Sequence, residues 1–253
     1  MSITNLELQN YLDGMLRVKE ISDYCPNGLQ VEGARNIETI ITGVTASQAL
    51  VDAAVEKNAD ALIVHHGYFW KGESQVITGM KKRRLSALLA NDINLYAYHL
   101  PLDVHPEFGN NRQLAALLGI ENVSAVSSVK PLGVVMQGDL VESVDGHTLQ
   151  SKLKKLLGRE ILVEGPVTKP ISTIAWCTGG GQGFIEQAVD LGVDAFISGE
   201  VSEQTVHTAR EMGITFFAAG HHATERYGVK SLGEQIAEQF DVTVQFIDID
   251  NPA

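Results

Sequence analysis

Short apolar runs alternate with helical stretches along most of this chain, and that alternation constrains the fold more than any other feature. The runs are Thr39–Val44, Ala61–Val64, Ile93–Tyr98, Ile171–Cys177, Ala195–Ser198 and Thr215–Ala219. Each reads as a buried strand. Helical spacing covers Gln48–Lys57, Lys81–Ala90, Arg112–Leu118, Phe184–Leu191, 202–212 and Val229–Gln239, and Val242–Ile247 reads as a last strand. Strands that alternate with helices form mostly parallel sheets with helices on both faces. At the start, Thr4-x-x-Glu7 fits a capping box ahead of an amphipathic helix over residues 5–18. Residues 21–33 read as a loop with a Pro-Asn-Gly turn, and residues 67–80 as a long glycine-containing loop.

The pattern changes over residues 126–168, where strand, helix and strand follow in PLGVVMQGDL, GHTLQSKLKKLLG and ILVEG. On either side lies an internal similarity. Residues 51–66 laid on 185–200 match Ala54 with Ala188, Val55 with Val189, Asp60 with Asp194, Ala61 with Ala195 and Ile63 with Ile197. Any two helix–strand units look somewhat alike, but the shared order of strands and helices favours duplication. The expectation is an α/β fold of two pseudo-repeated lobes, 1–125 and 126–253, with mostly parallel sheets. The strand-end loops of both would serve one site.

Composition narrows the function. The formal charge is −12, which argues against duplex nucleic acid as a primary partner but leaves room for a small anionic substrate in a local basic pocket. Two cysteines, Cys25 and Cys177, cannot build a disulfide framework. The first residues lack the basic and apolar regions of a signal peptide, and no apolar stretch reaches membrane-spanning length. A cytoplasmic protein is expected.

Of the eight histidines, six (His65, His66, His99, His105, His221 and His222) stand at or just after the ends of three of the strands. His147 and His207 fall on helix faces. Any one histidine is most simply a satisfied core or surface residue, but clustering favours metal ligation. Neighbours on a regular strand point to opposite faces, so His65 and His66 serve together only where the strand loses regularity, which Gly67 permits. If ATER opens a helix, His221 and Glu225 share a face at i and i+4, with His222 and Glu225 the competing pair. Asp103 can supply a bridging carboxylate. Nitrogen and oxygen donors without thiolate suit Zn, Fe, Mn, Co or Ni. HHATE is not the HExxH signature of zinc proteases.

VHHGYFW, AYHLPLDVHPEFGNN, TGGGQG, DAFISGE and AAGHHATERYG, in this order, resemble the NIF-three-like family, also labelled GTP cyclohydrolase 1 type 2 homologues. NGLQVEG near the start resembles the family's N-terminal segment. The resemblance covers most of the chain. It implies two interlinked lobes, a ring-shaped homohexamer with its metal sites facing the inside, and two divalent ions per chain in a site between the lobes. The ligands it implies are His65, His66, Asp103, His221 and Glu225, with His221 preferred over His222. Such a site suits hydrolysis, cyclohydrolase- or phosphohydrolase-like, of a nucleotide or related small anionic heterocycle. His99 would then move protons. A non-catalytic metal-binding scaffold is the main rival.

Four features stand aside from this reading. TGGGQG (178–183) follows a strand and precedes a helix, yet matches neither dinucleotide nor P-loop patterns, so a tight turn explains it better than a phosphate cradle. A nucleotide-binding regulator built on it is a third and weaker option. KKRR (81–84) reads as a solvated face, Cys25 as an inert thiol and Glu200 as either a pocket residue or a plain loop acid.

Overall fold

The computed structural model describes residues 3–253, and its chain divides into two compact units. One runs to Leu102 and takes up the chain again over Gly228–Asp250; the other holds Asp103–Tyr227 and Asn251–Ala253. The boundary expected after residue 125 thus falls inside the second unit. The reason is strand Ile120–Ala125, which pairs antiparallel with Met136–Val144 and so belongs to the second sheet.

The first unit is built on five strands in the order Thr243–Phe246, Thr39–Thr45, Ala61–His66, Asn94–Ala97, Gly28–Val31. The first four run parallel, and Gly28–Val31, inside the stretch read as a loop, joins antiparallel. Side chains alternate faces along these strands. Ile40, Ala61, Ile63 and Tyr96 face helix Asn5–Met15 and the later turns of helix His221–Gln239, through Leu8, Leu12, Val229, Leu232 and Ile236. Ile41, Leu62, Val64 and Leu95 face helices Gln48–Glu56 and Gly79–Ala90, through Leu50, Ala54, Leu85 and Leu88. Continuous apolar runs are the signature of a sheet covered on both sides. The Thr4–Glu7 capping box is present: the Thr4 hydroxyl accepts from Glu7 N–H, and the Glu7 carboxylate accepts from Thr4 N–H at 3.0 Å.

The second unit has six strands in the order Ile120–Ala125, Met136–Val144, Ile171–Cys177, Ala195–Ser198, Thr215–Ala218, Leu162–Glu164. Only the central pairings, of Ala195–Ser198 with its two neighbours, are parallel. The expectation of mostly parallel sheets therefore holds in the first unit and fails in the second, where the outer strands add antiparallel. Helices Asn110–Leu118 and Gly146–Leu157 cover Ile171, Ile174, Trp176 and Phe217. Among the described residues no helix is long and apolar enough to cross a membrane.

Candidate metal centre

Strand Ala61–His66 continues through both histidines instead of stopping before them. Its pairing with Asn94–Ala97 ends at Val64, whereas pairing with the other neighbour reaches His66. Past Val64, Tyr98 N–H still bonds to Val64 C=O at 3.0 Å, but Tyr98 C=O accepts from the His65 side chain, with Nδ1 at 2.9 Å. A carbonyl only accepts, so Nδ1 carries the proton and Nε2 keeps the lone pair that a metal ion requires. His66 Nδ1 lies 3.0 Å from Thr45 Oγ1. The two rings are 4.5 Å apart, so the opposite-face rule for strand neighbours does not hold at this strand end.

His99 joins them. Its ring centroid is 5.0 Å from His65 and 5.8 Å from His66, and one nitrogen from each imidazole lies within 4.8 Å of the others. Its Nδ1 donates to Asp23 Oδ1 at 3.0 Å. Asp23 also accepts from Leu100 N–H and from Asn27 Nδ2, both at 2.9 Å, and Asn27 Oδ1 accepts from His99 N–H at 2.7 Å. Burial pushes the Asp23 carboxyl up, but the hydrogen bonds from His99, Asn27 and Leu100 and the His99 charge outweigh it and bring its pKa down to about 2. Asp23 and Asn27 were not legible as site residues; they sit in a stretch that reads only as a turn. The available signal was two short polar side chains spaced to hold backbone groups. Cys25, read from the sequence as an inert thiol, lies near Asp23 and His99.

In the second unit, helix His221–Gln239 begins at His221 itself, earlier than ATER. One helical turn then places His221 Nε2 3.2 Å from Glu225 Oε2. His221 Nδ1 lies 2.8 Å from Glu200 Oε1, so Glu200 is no plain loop acid. Burial lowers the His221 pKa, but the hydrogen bonds and charges of Glu225 and then Glu200 prevail and raise it to about 9. Asp103 is buried, and its Oδ1 accepts from Asn110 Nδ2 at 2.9 Å. Cys177 is buried near Asp103 and Glu225; burial first, then their charges, push its thiol far up, which makes it inert.

The TGGGQG segment packs on this pair. Gly179 has φ +64°, and a Cβ there would collide with Glu225 Oε1 and come within 3.1 Å of His221 Nε2. Thr224 Oγ1 accepts from Gly179 N–H at 3.0 Å, tying the loop to the helix start. Close approach to a carboxylate accounts for the glycine at position 179, and contact with the Cys177 side chain for Gly181. Other residues serve structure. His105 Nδ1 accepts from Glu107 N–H at 3.3 Å and Phe108 N–H at 3.1 Å, its ring stacked on Phe108. His147 and His207 are exposed on helices, as read from the sequence, and His222 is buried with its N–H on Ala253 C=O at 3.2 Å.

These donors fit divalent cations. They are nitrogen and oxygen atoms on buried or half-buried side chains, and the His65 tautomer is preset by a backbone carbonyl. Residues 3–252 match the family model described as Duf34/NIF3 (NGG1p interacting factor 3). The chain belongs to this family. It is 58% identical over 250 residues to an Escherichia coli K12 protein called GTP cyclohydrolase 1 type 2 homolog, covering 98% of this chain and 99% of that one. A Yersinia pestis protein of the same name is 57% identical over 250 residues, covering 98% and 99%. The fold matches a solved structure titled protein ybgI, of unknown function, with TM-score 0.94 and 57% identity, covering 99% of this chain and 100% of that one. A structure from Thermus thermophilus matches with TM-score 0.91 and 34% identity, covering 99% and 100%.

Proposed function

We propose that this NIF3-family chain binds two divalent metal ions and hydrolyses a nucleotide or a related small anionic heterocycle. The ligands are His65, His66, Asp103, His221 and Glu225. The observation that carries this is the His65 imidazole, buried at the end of a strand with its Nδ1–H committed to the Tyr98 carbonyl, so that Nε2 is the nitrogen with the lone pair. A backbone carbonyl that fixes the tautomer in this way is the usual companion of a metal-ligating imidazole. The Asp103 carboxylate, steadied by Asn110, suits a bridging role, and Glu200 orients His221 through its Nδ1. When bound, the ions lower the pKa of water and polarise the group under attack. His99, aligned through Nδ1 by Asp23, carries protons at Nε2. The pseudo-repeat belongs to the same reading. It is supported by the matched Asp60 and Asp194, whose carboxylates each take two backbone N–H groups. So does assembly into a homohexameric ring in the cytoplasm, for which sedimentation velocity is the direct check.

The test is metal content per chain by plasma mass spectrometry on protein purified without chelator or His-tag, for wild type and Asp103→Ala. About two ions per chain are expected, with loss of metal and turnover in the variant. Protein that carries none and refuses Zn, Mn and Fe loses the assignment. Ions bound with no water-accessible position would favour the scaffold instead.

A further inference from the structure

Beside His66 and His99 the first unit displays a set of aromatic rings that no hydrolytic step uses. Trp70 meets the His99 ring edge-on at 5.0 Å and lies 6.0 Å from His66. Tyr24 meets His99 at 5.0 Å and Trp70 at 5.8 Å, the latter pair tilted by 36°. Tyr24 is 52% exposed and the adjacent Phe69 38%. Phe69 has φ +65°, a conformation bulky residues rarely adopt and which tends to occur at functional sites.

The rings do not hang on slack loops. Lys71 N–H bonds to Tyr24 C=O at 2.7 Å and so joins the two aromatic segments. The Gln30 side chain clamps both, accepting from Tyr68 N–H at 2.7 Å and donating to Tyr68 C=O at 3.1 Å and Pro26 C=O at 2.8 Å. Trp70 Nε1 donates to Gly67 C=O at 3.2 Å. Lys81 Nζ stands 4.9 Å over the Phe69 ring, 3.2 Å from Glu73, and puts a cation at the edge of the surface. Rings held in place lose little freedom when they bind a flat partner.

We infer that Tyr24 and Trp70, flanked by Phe69, form a stacking platform that holds the planar ring of a phosphorylated nitrogen heterocycle, such as a purine nucleotide, against His66 and His99. This rests on the reading of the site as one for a small anionic heterocycle and names the residues that would select the ring over the sugar phosphate. Stacking on aromatic side chains tolerates any base, because every base offers a π-face.

The experiment titrates the full chain, chelator-treated and zinc-loaded, with GMP and with ribose 5-phosphate, which keeps the phosphate and lacks the ring. Tryptophan fluorescence is read in the wild type and in Trp70→Leu, so that the change at Trp70 is separated from the emission of the buried Trp176. GMP is expected to change the signal and to bind at least about tenfold tighter than ribose 5-phosphate. By calorimetry, Tyr24→Leu and Trp70→Leu should each lose most of that preference while keeping the wild-type circular dichroism and metal content. Equal affinity for the two ligands, or unchanged GMP binding in both variants, overturns the inference. A protein that stacks GMP but takes up no ion loses only the hydrolase reading. One that holds ions and hydrolyses nucleotides but ignores the ring loses only the platform.

Discussion

Asp60 and Asp194 do the same work in the two units. Oδ2 of Asp60 accepts from the consecutive N–H groups of Glu38 and Thr39, and Oδ2 of Asp194 from those of Ser172 and Thr173, all four at 2.9 Å. Each carboxylate thereby pins the start of the strand next to its own. Asp194→Ala leaves two N–H groups without their acceptor and should destabilise the protein by about 1–3 kcal/mol. A lower urea midpoint at unchanged slope is the expected result; an unchanged midpoint would show that water replaces the carboxylate at no cost.

Gly179→Ala should damage the proposed metal centre selectively. The added Cβ strikes Glu225 Oε1 at a backbone of φ +64°, whereas at Gly183 a Cβ meets nothing within 4 Å. Zinc affinity should fall at least about tenfold in Gly179→Ala and hold in Gly183→Ala, since displacing ligands and their neighbours commonly costs 10–100-fold. Calorimetric titration separates the two.

Glu200→Gln keeps the shape of the side chain and removes the charge that faces His221 Nδ1 at 2.8 Å. Metal affinity should drop roughly 10-fold or more while the melting temperature stays near wild type. Equal affinity would demote Glu200 to a surface contact of the apoprotein.

The Asp23–His99 pair gives a pH signature. The Asp23 pKa is about 2 in the folded chain against 3.8 for an unperturbed group, so its stabilisation is complete above the unfolded value and disappears as pH falls through the folded one. Asp23→Asn should lower stability at neutral pH by on the order of 1–2 kcal/mol, a figure discounted for partial solvent screening. It should also flatten the acid limb between about pH 4 and about pH 2. Denaturant unfolding across that range checks it; a variant with the wild-type acid limb would show that the pair carries no linked proton.

Much of the fold was legible because its signals are local. The apolar runs at 39–44, 61–64 and 171–177 became central strands, and Thr4-x-x-Glu7 became a capping box. Gly28–Val31 was missed because a turn signal precedes it and antiparallel pairing with Asn94–Ala97 makes it a strand. The antiparallel edges of the second sheet were missed for the same reason: pairing direction is a property of the partner.

What the sequence determined by itself is periodicity and clustering. Apolar spacing sets which residues can form strands and helices, histidines gather at strand ends, and His221 and Glu225 are one helical turn apart. Only the tertiary structure decided the partners. Asp23 meets His99 across 76 residues, Glu200 meets His221 across 21, and Tyr98 lends its carbonyl to His65 across 33. Hydrogen bonds of this kind depend on strand order and register, which bring distant segments together and leave no period in the chain.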